Sequence, residues 1–246
     1  MLIGGLLLLI CLGIAKKNRR AAYGLNRKNW KATISMVLLY LVLYVARMIV
    51  ASLADGGLDP LVKIFSDSTT WIVLITTLVS YILLFVPYFG EEYGWRYFLQ
   101  PILQKRYGSL KGVLLLGLLW GVWHLPLNFF FYTSPADGII SVTNQVVVCL
   151  TLGIFYAYAY MKTDNIWTVV AMHFLNNNLV PIFSGDLTGE SIKGYSITWS
   201  DVAFMVIIMT IFYAWPALTK FFRDRSNLNP TPEHRADSVS YHLDNE

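Results

Sequence analysis

Charge is scarce in this sequence. Asp, Glu, Lys and Arg make up 14% of its 246 residues, against about 25% in an ordinary soluble domain. That scarcity, with 56% hydrophobic residues, excludes a solvated globular enzyme of usual composition. Cysteine is nearly absent. Cys11 and Cys149 lie in separate apolar runs without CxxC spacing, which excludes a disulfide framework and a cysteine metal knuckle. No HExxH occurs, so the common helical zinc-protease pattern is missing. Internal repeats are absent too, and no loop between apolar runs is large enough to be a second domain. Chemistry must therefore reside among the apolar segments.

Those segments are abundant. Apolar runs cover Leu2–Ala15, Ala32–Ala54, Thr70–Phe89, Leu110–Phe131, Ile139–Met161, Ile166–Phe183 and Asp201–Phe222, most of them near the roughly 20 residues a helix needs to cross hydrocarbon. The sequence predicts an all-α, polytopic transmembrane helical bundle of about seven spans, with six to eight as the range. Leu2–Ala15 is short for a span and lacks the basic n-region of a secretory signal. Residues 1–222 form the membrane domain. From Arg223 to Glu246 the chain is polar and proline-containing, which predicts a flexible cytoplasmic tail.

Basic residues near span ends are retained on the cytoplasmic side. Seven lie between Lys16 and Lys31, and alternate threading places Arg96, Lys105, Arg106, Lys111, Lys162, Lys220, Arg223, Arg225 and Arg235 on the same side. Lys63 and Lys193 fall outside, and Arg47 lies within a span, where it is expected to snorkel. The net charge of +4 thus reads as topology, with the lipid bilayer as partner and no nucleic acid.

Strongly polar groups inside a membrane face a bundle interior, a partner or a water-filled cavity. Here they are Glu91 and Glu92, His124, Asn144 and Gln145, and His173 with Asn176, Asn177 and Asn178. Glu92 and Arg96 are four apart and can pair along one helix face, which turns Glu91 elsewhere. His173 and Asn177 share a face for the same reason. Singly, each reads as an interfacial residue or as polar glue between helices. Together they supply a carboxylate to accept a proton from water, imidazoles to orient it or protonate a leaving amine, and N–H donors for an oxyanion. The set Glu91, His124 and His173 is equally competent to ligate a divalent metal such as zinc.

Three motifs carry a resemblance. "EEYGWR" fits EExxxR, "WGVWH" fits FxxxH with Trp120 in place of Phe, and "HFLNN" fits HxxxN. Their order resembles the CPBP family of intramembrane proteases, which includes the type II CAAX prenyl proteases and bacterial relatives labelled bacteriocin-processing or self-immunity proteins of the Abi-like group. The matched core is about residues 71–182. The resemblance implies an intramembrane endopeptidase acting on a membrane-associated or lipidated peptide. It implies Glu91 as general base, His124 as its partner on water, His173 and Asn177 as oxyanion donors, and Glu92 with Arg96 in support. The mechanism it favours needs no metal. It also implies an integral protein of a prokaryotic cell membrane, with the active site toward the cytoplasmic side. The competing function is a non-catalytic immunity or scaffold protein that binds a peptide or partner in the same cavity. A transporter is disfavoured by the lack of repeats and of paired broken helices.

Overall fold

The computed structural model describes residues 23–25, 28–187 and 193–243. The run Leu2–Ala15 and Cys11 lie outside the described residues. Among these, every regular element is a helix, and the fold is an all-α polytopic bundle. Four helices are long and apolar enough to cross a membrane, or six if two bent pairs each count as one span. That agrees with the six predicted runs that follow the first.

The order is α1 (Trp30–Ala54), α2 (Asp59–Ser66), α3 (Ser68–Leu84), α4 (Val86–Glu92), a π-helical stretch (Tyr93–Leu99) and α5 (Gln100–Tyr107). Then come α6 (Ser109–Trp123), a short helix and π turn ending at Tyr132, α7 (Gly138–Thr163), α8 (Ile166–Ser184) and α9 (Trp199–Met209), which runs on through π and 3-10 turns to Leu218. The last helix, α10, covers Pro232–Leu243. Local chemistry sets several starts. The Asp67 side chain accepts from Thr69 N–H ahead of α3, Asn165 accepts from Trp167 N–H ahead of α8, and Thr198 and Asp201 form a capping box on α9, each satisfying amides that the first helical turn leaves unpaired.

Helix α7 is the centre of the bundle, with a nearly unbroken buried stretch from Thr151 to Ala157. Against it pack α6 and α9. Backbones approach closely where α6 carries glycine. A Cβ on Gly117 would lie 2.9 Å from the Leu150 Cα, and one on Gly121 would lie 2.7 Å from the Val146 Cα. Tyr40, Tyr44, Phe155, Tyr156 and Tyr213 fill the middle, ring against ring at about 6 Å, as in the Tyr40–Tyr213 stack at 5.9 Å. Outside, large apolar side chains such as Val42, Ile82, Leu83, Ile207 and Ile211 are exposed, which suits contact with lipid tails.

Three points bear on the expectations from sequence. The third helix runs on past the glutamates. After a break at Phe85, helical backbone continues from Val86 to Tyr107, reverses at Gly108 (φ 90°) and returns antiparallel as α6, so that a Cβ on Gly112 would meet the Gln104 backbone at 2.6 Å. Arg96, counted above among loop cations, is completely buried in this hairpin. Arg47 does not snorkel; its Nε is buried and its guanidinium lies 4.8 Å over the Tyr44 ring. The third point concerns the tail. Asn229 donates to Asp164 at 2.9 Å and Arg235 makes a close two-nitrogen pair with the same carboxylate, so residues 229–235 are fastened to the α7–α8 turn.

Candidate active site

Prolines shape the ground on which the site stands. Each removes one amide donor, leaving the carbonyl four residues earlier without its helical partner. Pro87 lies just beyond the break at Phe85, and Pro101 opens α5 directly after the π-helical stretch. Pro126 follows the end of α6, where the chain bends by 41°. Pro181 lies inside α8, four residues after Asn177. Three of the irregularities flank Glu91 and Glu92, Arg96, and His124, consistent with the tendency of π segments to occur at functional sites.

The hairpin brings the motifs to one height. Glu92 is fifteen residues before Tyr107 and His124 fifteen after Ser109, so both stand about 22 Å along their helices from the Gly108 turn by helical rise. This removes the mismatch in depth that arises if the third span stops at the glutamates. On the neighbouring α8, His173 directs Nδ1 to Glu92 Oε1 at 2.8 Å. The other oxygen of Glu92 is 3.3 Å from Arg96 Nε, with both side chains fully buried. A carboxylate there can only accept, so His173 Nδ1 carries the proton of that bond.

Arg96 is held by more than its carboxylate. Its guanidinium lies 4.7 Å over the Trp120 ring and 5.4 Å over Tyr156, cation–π contacts that gain strength when desolvated. Trp120 also meets the His173 ring edge-on at 5.4 Å. The residue that departs from FxxxH is thus a wall shared by Arg96 and His173. Tyr88 closes another side of His173 at 5.2 Å.

Beyond His173 a chain of carboxamides continues. Asn177 Nδ2 is 3.5 Å from His173 Nε2. Asn176 donates to Asn177 Oδ1 at 3.1 Å and in turn accepts from the Tyr40 hydroxyl at 2.9 Å. With Asn177 Oδ1 occupied in this way, its amide N–H groups are directed away toward the histidine. Sequence reasoning missed Tyr40 and treated Asn176 as an unrelated interhelical group; four apolar-looking positions in α1 give no sign that one faces the site.

His124 caps the end of α6. Its Nδ1 is 2.8 Å from the Trp120 carbonyl oxygen, leaving Nε2 for another partner, and Trp123 packs edge-on to the ring at 5.0 Å. Glu91 is half-buried, and its Oε2 is shielded from solvent without a hydrogen-bond partner in the protein. A cavity of about 580 Å³ has Trp120, His124, His173, Asn176 and Asn177 on its wall together with Asn144, Gln145 and Cys149.

A zinc-type ligand set of Glu91, His124 and His173 does not assemble. Among the described residues no three His, Cys, Asp or Glu side chains come together as a metal-binding group. The cytoplasmic placement of the site also meets a difficulty. The cavity reaches Tyr132, Ser184, Tyr195 and Asp201, which stand at the end of the bundle opposite the basic loops.

Residues 67–179 match the family described as type II CAAX prenyl endopeptidase Rce1-like, close to the 71–182 core drawn from the motifs. The protein described as CAAX prenyl protease 2 of Methanococcus maripaludis is 29% identical over 153 residues, 59% of this chain and 54% of that relative. This chain therefore spans about half the length of that relative. No solved structure matches the chain significantly. The three ordered motifs fall inside this match, so residues 67–179 of the polytopic bundle are similar to the type II CAAX prenyl endopeptidase Rce1-like family.

Proposed function

We propose that this protein is an intramembrane endopeptidase that hydrolyses a peptide bond of a membrane-associated or lipidated peptide. The observation that carries the reading is the buried, unpartnered carboxylate oxygen of Glu91 beside the ordered series Arg96–Glu92–His173–Asn177. A buried polar group left without a partner is costly. In this reading a water molecule is that partner.

In this mechanism Glu91 takes a proton from a water oriented with His124, and the water oxygen adds to the scissile carbonyl carbon. The carbonyl π electrons move onto oxygen. That oxyanion is met by the Asn177 amide beside His173, whose ring Glu92 fixes through Nδ1 while Arg96 pairs with Glu92. Collapse breaks the C–N bond, and the proton held by Glu91 passes to the leaving amine directly or through His124. The products are a carboxylic acid and an amine. No step needs a metal, so chelators should leave turnover intact.

The test compares new peptide termini in membranes holding the wild-type chain with membranes holding Glu91→Gln at equal abundance. Termini found only with wild type support hydrolysis and identify the substrate. Identical sets from two equally folded proteins would reject it in favour of a peptide-binding scaffold.

A further inference from the structure

The direction in which the cavity opens has consequences for what the protein meets. From His173 and Asn177 the space extends to Tyr132, Ser184, Tyr195 and Ser196, beside residues 133–137 and 193–198. The other end of the bundle gathers the cations. Arg225 donates to the Lys105 carbonyl at 3.4 Å, Lys162 lies 3.6 Å over the Phe221 ring, and Asp164 binds Lys28 at 3.3 Å together with Arg235. Basic ends stay cytoplasmic, so the mouth of the cavity lies on the opposite face.

We propose that the site is served from the extracytoplasmic face, and that its occupant is an extended peptide segment presented there. The word substrate rests on the proteolytic reading; the direction of access does not. The wall is chemically suited to a peptide backbone. Asn144 and Gln145 offer carboxamides, and the Asn144 Oδ1 is buried without a protein partner, an acceptor aimed at an N–H that the bundle does not supply. Asp201 is on the lining but is engaged in the capping box of α9, and Lys193, 5.8 Å over the Phe131 ring, stands beside the same mouth.

Cysteine accessibility decides the matter without a known substrate. In a full-length chain carrying Cys11→Ser and Cys149→Ser, single cysteines are placed at the mouth (Ser196→Cys), on the cavity wall (Asn144→Cys, with Gln145→Cys as the second wall variant) and at the basic end (Lys111→Cys). Each is treated with a membrane-impermeant maleimide in right-side-out and in inside-out vesicles. Both mouth and wall cysteines are expected to react in right-side-out vesicles and to be protected in inside-out ones, with Lys111→Cys showing the reverse. Wall cysteines that react only in inside-out vesicles, or from neither side while Ser196→Cys reacts from outside, overturn the proposal. So does a Ser196→Cys that reacts only in inside-out vesicles. Labelling requires no hydrolysis, so cytoplasmic access alongside wild-type-only termini would discard this proposal and keep the protease, and the converse result would do the opposite.

Discussion

Glu92 and His173 are 81 residues apart in the chain, and their side chains meet at 2.8 Å in the middle of the bundle. One carboxylate therefore answers two groups at once, the imidazole through Oε1 and Arg96 through Oε2. This separates the adjacent glutamates: both oxygens of Glu92 are engaged, whereas the buried Oε2 of Glu91 has no hydrogen-bond partner in the protein.

The two should accordingly fail in different ways. Glu91→Gln keeps the shape and loses the base, and a missing general base lowers turnover by about 10²–10⁴-fold. Because Glu91 makes no hydrogen bond to the protein through its buried Oε2, the melting temperature in detergent should stay near that of wild type. A large loss of stability in this variant would argue that Glu91 is structural.

Arg96→Ala should instead unfold the site. It leaves Glu92 buried and short of its cation, and breaking such a pair costs about 3–5 kcal/mol. Arg96→Lys keeps the charge but not the flat guanidinium that faces Trp120 and Tyr156, so its thermal stability is expected between those of wild type and Arg96→Ala. Parallel melts in one detergent would check the order.

Asn177→Ala should reduce turnover by about 10²–10³-fold, the usual effect of removing one oxyanion donor, with little change in apparent substrate affinity. Tyr40→Phe acts on Asn177 only through Asn176. The loss of one neutral hydrogen bond is about 1 kcal/mol, or about fivefold in rate if it is all expressed there. Separate values of kcat and KM for the two variants, once a cleaved peptide is in hand, distinguish donor from positioning residue.

At the α7–α8 turn, Asp164 is partly buried, which raises its pKa, but bonds from Arg235 and Asn229 and the charge of Lys28 outweigh burial and hold the carboxyl below the ordinary carboxylate range. A carboxyl whose folded value lies below its unfolded value contributes stability above the unfolded value and loses it as pH falls through the folded one. Acid below about pH 4 should thus release residues 229–235 from the bundle, and limited proteolysis of the tail at neutral and acidic pH would show it. Asp164→Asn should produce the same susceptibility at neutral pH, with a cost of about 1.5–3 kcal/mol for losing bonds to a charged group.

Much of the fold was legible because hydropathy marks spans directly. The predicted run Ala32–Ala54 became Trp30–Ala54, and Ile166–Phe183 became Ile166–Ser184. The hairpin was not legible. A hydropathy window registers Glu91, Glu92 and Arg96 as the exit from a membrane and cannot register that Glu92 and Arg96 neutralise each other inside it. The pairing of Glu92 with Arg96 could be read from spacing; that His173 completes it could not, since nothing local relates positions 81 residues apart. The tail was misread for a similar reason. Polar composition describes residues 229–235 well, but a single buried acceptor at Asp164 is enough to hold them. Trp120 read as a departure from a motif, whereas its larger ring touches both Arg96 and His173.

The glycines of α6 also limit how anything can arrive. Side-chain interlock between helices can loosen rotamer by rotamer, but at Gly117 and Gly121 main chain rests on main chain, with no room even for a methyl group. The seam between α6 and α7 is therefore closed by backbone contact at these two positions, with the Val146 and Leu150 side chains packed beside it. A peptide travelling sideways through the bilayer would find that wall shut, and whatever reaches His173 must come along the axis of the bundle or through a seam held by larger, movable side chains.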